Sequence, residues 1–130
     1  QAVVDEAARW SVQQVAYDRR FAAQLANHCD AAGVLMIDQP QGFQLHEGTT
    51  RLQELVAEKK IRHDHDPVLA WMVANLVTRT GRYGQIRPDK EAAGSGLKVD
   101  GVVALIMALQ RAILEPETAP IYEDHGVRFL

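Results

Sequence analysis

The sequence predicts an α/β domain. Segments with a helical apolar period alternate with short β-branched runs through residues 1 to 37, the pattern of parallel strands joined by crossover helices. Each run then meets a stop, an acid at Asp18 and a Gln39-Pro40-Gln41-Gly42 break after Ile37. Finally, the longest apolar stretch, Val99 to Leu114, has the length and spacing of a largely buried helix.

The elements follow in order. Val3, Val4, Ala7, Ala8 and Trp10 oppose Asp5, Glu6 and Arg9, a helix over about residues 2 to 11. Val12 to Tyr17 is a buried strand closed by Asp18. Phe21, Leu25, His28 and Cys29 continue a second helix that Gly33 stops, because glycine accepts the left-handed turn at a helix end. Val34 to Ile37 is the next strand. A helix from about Thr49 carries Leu52, Leu55 and Val56 and ends at Lys59 and Lys60, where cations suit the helix dipole. A brief strand is expected at Ile61-Arg62-His63. Asp66-Pro67 starts a helix over 67 to 75, the acid capping free amides and proline occupying the first turn; Pro67, Trp71 and Asn75 are expected to build core and helix packing. Leu76 to Arg79 and Gln85 to Arg87 flank a glycine-containing turn and read as a hairpin. Glu91 to Gly96 is a loop, and Val102, Val103, Ile106, Leu109 and Ile113 mark the buried face of the last helix. Residues 117–130 have no clear period and are expected to be an extended tail.

At 130 residues, with 47% hydrophobic and 24% charged residues, the expectation is one domain with a core that needs no disulfides. The single Cys29 reads as a buried structural thiol and suits a reducing, cytoplasmic setting. No apolar run reaches the roughly 20 residues of a membrane span. A net charge of -3 argues against holding nucleic acid by bulk charge. The charge is segregated, however: Arg79, Arg82, Arg87, Lys90 and Lys98 face only Asp89 and Glu91, a local +3. Such a hairpin could contact DNA phosphates without reading bases.

No phosphate-cradling glycine loop, Gly-x-Ser-x-Gly elbow, Cys/His nucleophile pair or cysteine zinc pattern is present, which excludes an ATP-driven motor and common hydrolase chemistries from this stretch. What remains is carboxylates and histidines. Asp18 stands at the carboxyl end of a strand, where α/β sheets collect ligands, and Asp100 opens the long helix. Mg2+ prefers oxygen ligands from one or two carboxylates plus water and phosphate, and two such ions could drive phosphodiester cleavage. On spacing alone the plainer account, a strand-ending acid and a helix cap, is favoured. His63-Asp64-His65-Asp66 reads as a surface loop, with a histidine-based metal hydrolase on His63 and His65 much the weaker reading; His63 alone could approach the acids. His28 and His46 read as surface or core residues.

Three blocks carry a resemblance: Asp66-Pro-Val-Leu-Ala-Trp-Met-Val-Ala-Asn75, Gln85-Ile-Arg-Pro-Asp-Lys90, and Lys98-Val-Asp-Gly-Val-Val-Ala-Leu-Ile-Met-Ala-Leu109. In this order they closely resemble the C-terminal nuclease region of tailed-phage terminase large subunits, and the likeness extends over about residues 10 to 112. The resemblance implies a ribonuclease H-like fold, a mixed sheet flanked by helices, with three acids on different elements binding two Mg2+ or Mn2+ ions. It sets Asp18 as the second acid and Asp100 as the third. The family's first acid lies on a strand of a preceding hairpin, upstream of Gln1, so the expectation is an N-terminally truncated, partial nuclease domain over 1–130.

The function so implied is metal-dependent endonuclease cleavage of concatemeric double-stranded DNA during packaging, with the terminase small subunit and the portal as partners. The alternative is a catalytically inactive prophage fragment serving as a folded binding or oligomerisation module. An exposed strand edge is expected to pair with a second copy; sedimentation as monomer alone at high concentration would count against that.

Overall fold

The computed structural model describes residues 1–92 and 96–114, with Phe21 described for its backbone alone. The tail expected over 117–130 lies outside the described residues. Helix α1 (Ala2–Arg9) leads to strand β1 (Val15–Tyr17), helix α2 (Arg19–Ala31) and strand β2 (Met36–Asp38). A 3-10 turn (Phe43–Leu45) feeds helix α3 (His46–Ala57), followed by helix α4 (Pro67–Ala74), strands β3 (Thr78–Thr80) and β4 (Ile86–Pro88), and helix α5 (Asp100–Leu114).

The alternation seen in the sequence gives the expected α/β arrangement. Strands β1 and β2 pair in parallel, Val15 opposite Met36 and Tyr17 opposite Asp38, with α2 as the crossover. Strands β3 and β4 pair antiparallel, Thr78 opposite Pro88. Parallel and antiparallel pairing are thus both present, in two small sheets. Gly33 ends the α2 region at φ 84°, a conformation a side chain would oppose.

Helix α5 is the spine of the core. Val102, Val103, Ile106 and Met107 are buried and pack with Leu45, Leu52 and Val99. A second cluster joins Ala7, Cys29 and Val34, backed by Val3, Val4, Val15 and Met36. Cys29 is fully buried, as expected of a structural thiol.

The helix pair α3 and α5 touches backbone to backbone at Gly48. An added Cβ there would lie 2.6 Å from the Ile106 carbonyl oxygen and 3.0 Å from the Gln110 nitrogen. The Gly48 amide instead donates to Oε1 of buried Gln110 at 2.7 Å. That amide is one of the orphan donors in the first turn of α3, so α5 supplies a cap that the residue before α3, Leu45, lacks. This explains why the helix begins at His46 and not near Thr49: its start is fixed from a distant part of the chain, with no local capping signal.

Two further expectations are corrected. Residues 61–63 form no strand; Ile61 packs against the core, but the segment has no ladder partner among the described residues. Helix α4 starts as expected, Asp66 accepting a hydrogen bond from the Leu69 amide at 2.7 Å. Pro67 and Trp71, however, are not core: α4 contains no buried residue, Val68 is 57% exposed and Trp71 43%, whereas Asn75, just past the helix end, is half-buried with its Nδ2 out of solvent. This helix is apolar on nearly every side, so only one stripe, with Met72 against the core, can be covered.

Candidate metal centre and its basic rim

Asp18 ends β1 and begins α2. Its Oδ1 accepts the Arg20 amide at 3.0 Å as the helix N-cap. That leaves Oδ2, which is buried and without a hydrogen bond; the Arg20 guanidinium approaches it at 3.5 Å. A carboxylate with a desolvated, unpaired oxygen is costly unless a cation answers it. Asp100 is the first residue of α5 and is largely exposed, its Oδ1 3.3 Å from Lys90 Nζ.

Although remote in sequence, the two acids line one cavity of about 380 Å³, together with Tyr17, Gln41, Lys90 and Met107. Both acids named from the sequence are therefore brought together, each with a cation beside it. The oxygen-only donor set, with one buried unsatisfied oxygen, fits a hard divalent cation. Among the described residues no group of three His, Cys, Asp or Glu is arranged to hold a metal.

The five basic residues separate into different roles. Arg79 donates from Nε to the buried carboxylate of Asp89 at 2.8 Å. Arg87 stacks over Phe43 at 5.4 Å and donates to the Pro88 carbonyl. Arg82 lies at the exposed hairpin turn beside Tyr83, and Lys98 is exposed before α5. Lys90 alone of the five lines the acid cavity. An adjoining cavity of about 290 Å³ shares Gln41 and Lys90 and adds Arg20, Arg87 and Asp89.

Sequence reasoning counted Asp89 only as a charge, yet it organises this rim. Its carboxylate accepts from Arg79, from the Glu91 amide at 3.1 Å and from the Ala92 amide at 3.2 Å. Burial alone would raise its pKa; the Ala92 hydrogen bond, the Arg79 hydrogen bond and charge, and the Glu91 amide outweigh that and hold it below the usual 3.8. A carboxylate whose folded pKa is lowered adds stability that is complete above its unfolded value and fades as pH falls through the folded one. The melting temperature should therefore fall below about pH 4, and Asp89→Asn should lack that component while melting lower at pH 7. Identical pH profiles for the two proteins would contradict this role.

Arg20 and Gln41 also went unnoticed. Arg19 and Arg20 occupy the first turn of α2, where the helix dipole disfavours cations, and this misplaced charge was the available signal. Arg19 is answered by Asp38 at 3.2 Å and Arg20 by Asp18. The histidine loop does not join the centre: His63 and His65 are exposed, their rings 4.6 Å apart, and His63 lines a separate, mostly apolar groove with Leu52, Val56 and Leu69. His46 has a structural use, accepting the Ile86 amide at its Nδ1, 3.1 Å away.

Comparison with known proteins agrees with this architecture. The sequence matches the family "Terminase large subunit, endonuclease domain" over residues 2–116. It is 36% identical over 84 residues to Protein YmfN of Escherichia coli (strain K12), covering 61% of this chain and 18% of that protein. The fold matches the crystal structure of the HK97 bacteriophage large terminase with a TM-score of 0.68 and 26% identity, over 85% of this chain and 24% of that one. The chain thus spans about a fifth to a quarter of the proteins it resembles. By the family match and the shared fold, this chain belongs to the terminase large subunit endonuclease domain family.

Proposed function

We propose that the chain is the metal-dependent endonuclease module of a phage or prophage packaging terminase, acting on concatemeric double-stranded DNA. The observation that carries this reading is the shared cavity, in which Asp18 offers a buried, unsatisfied oxygen and Asp100 a second carboxylate. Asp18 and Asp100 would hold Mg2+ or Mn2+, which when bound supplies charge neutralisation at the phosphate and an activated water. The chain's own contribution is placement. The N-cap fixes one acid at the strand end, the start of α5 fixes the other, and the rim presents cations to the DNA backbone. Plasmid nicking in Mn2+ and in EDTA, by the parent and by Asp18→Asn and Asp100→Asn, tests it.

A second reading, a folded module without catalysis of its own, rests on the absence of a third ligand beside the two acids among the described residues. Nicking by the parent that requires metal and both acids would dismiss it. In either case the setting is the cytoplasm of the bacterial host, with double-stranded DNA, the terminase small subunit and the portal as partners, and self-pairing through an open strand edge. Among the described residues no helix is long and apolar enough to cross a membrane.

The rim makes a separable prediction. Arg82 and Lys98 are exposed, whereas Arg79 is tied to Asp89. Arg82→Ala should weaken binding to any duplex sequence alike and lower the slope of log affinity against log salt by about one, with no change in melting temperature. Arg79→Ala should lower the melting temperature. A sequence-dependent loss in Arg82→Ala, measured by fluorescence anisotropy on two unrelated duplexes, would refute simple phosphate contact.

A further inference from the structure

We propose that Lys90 is an internal counter-cation of the acid pair, which a divalent metal displaces and which then turns to the DNA phosphate. This rests on the reading of Asp18 and Asp100 as metal ligands. The Lys90 Nζ is 3.3 Å from Asp100 Oδ1 and the side chain lines the same cavity as Asp18. The ammonium therefore occupies ground that a cation held by both carboxylates would need, and two positive charges cannot share it without strong repulsion.

The local backbone explains why this lysine stands there. Asp89, one residue before it, is locked by Arg79 and by the Glu91 and Ala92 amides. The turn is thereby rigid while the lysine stem remains long and 45% exposed, so the head group can exchange partners at small cost. Arg20 stands against Asp18 in the same sense, at 3.5 Å. Without metal the centre is self-neutralised. With metal, the released cation faces the neighbouring cavity, which is lined by Arg20 and Arg87 together with Asp89 and Glu91.

The exchange predicts effects of opposite sign, which a merely structural lysine would not produce. Titrating MnCl2 into the 130-residue chain and following paramagnetic broadening of the amide signals near Asp18 and Asp100, Lys90→Met should bind Mn2+ about three- to fivefold more tightly than the parent. That is the scale of removing an exposed ion pair that competes for the site. Lys90→Arg should stay close to the parent. In Ca2+, affinity for a short duplex should fall in Lys90→Met by a similar factor. Unchanged or weaker Mn2+ binding in Lys90→Met overturns the proposal, as does tighter Mn2+ binding with undiminished DNA affinity. The Asp18→Asn/Asp100→Asn double variant separates the two levels: if it binds Mn2+ as the parent does, the metal reading itself fails, and the inference with it.

Discussion

Nicking of supercoiled plasmid in Mn2+ is expected to fall on the order of 10²-fold or more when either Asp18 or Asp100 becomes asparagine, the scale on which single charged groups at a reaction centre count. The two variants should differ in everything else. In Asp18→Asn the side-chain oxygen can still accept the Arg20 amide, so α2 keeps its cap. The buried Oδ2 position changes from a charge without a hydrogen bond to a neutral group, which gives up the 3.5 Å pairing with exposed Arg20 but relieves a desolvated anion. Asp18→Asn should therefore melt at or above the parent temperature while losing metal-dependent nicking. Asp100 is largely exposed and, among the described residues, paired with Lys90, and replacing it should leave the melting temperature within about 2 °C, since exposed pairs contribute little. Loss of activity without loss of stability at both positions is the signature of a site built for a ligand. Loss of both together would make the acids structural.

Replacing Gly48 by alanine should have the largest effect on stability. In an exposed helix this change is worth close to 1 kcal/mol in favour of alanine. Here the sign reverses, because the methyl would lie 2.6 Å from a backbone carbonyl oxygen in α5 and neither helix can yield locally. Forced separation of α3 and α5 would also stretch the 2.7 Å bond from the Gly48 amide to Gln110 and loosen Leu52 from Val102 and Ile106. Overpacking and a weakened buried hydrogen bond together cost about 3 kcal/mol, roughly 10 °C in melting temperature for a domain of this size. Gln110→Ala should cost less, about 1 to 3 kcal/mol, by leaving the buried amide unpaired. Thermal denaturation followed by circular dichroism decides it, and a Gly48→Ala protein as stable as the parent would contradict the close helix contact.

Much of this architecture was legible in the sequence, and what was missed has physical causes. Helical period, β-branched runs and a glycine-containing turn located α1, α2, α4, α5 and the four strands among the described residues, because those signals are local. Asp66-Pro67 marked the start of α4 because cap and proline act within one turn. The start of α3 was hidden because its cap, Gln110, comes from the last helix. Trp71 was misjudged because an all-apolar helix carries no periodic hint of which side is covered. At the proposed metal site, Asp18 and Asp100 are named through family resemblance, while spacing alone favours a strand end and a cap. Asp18 is in fact a cap as well, one oxygen spent on the helix and the other without a hydrogen bond, 3.5 Å from the Arg20 guanidinium. Asp89 could not be singled out, since nothing local distinguishes a buried acid held by a hairpin arginine from a solvated one.

Anomalous diffraction from a crystal of this chain equilibrated with Mn2+ would show whether the two acids hold a metal. A manganese peak is expected in the cavity lined by Asp18 and Asp100, with Lys90 Nζ withdrawn from Asp100. A peak only at His63 and His65, or none at the acids at saturating Mn2+, would contradict it.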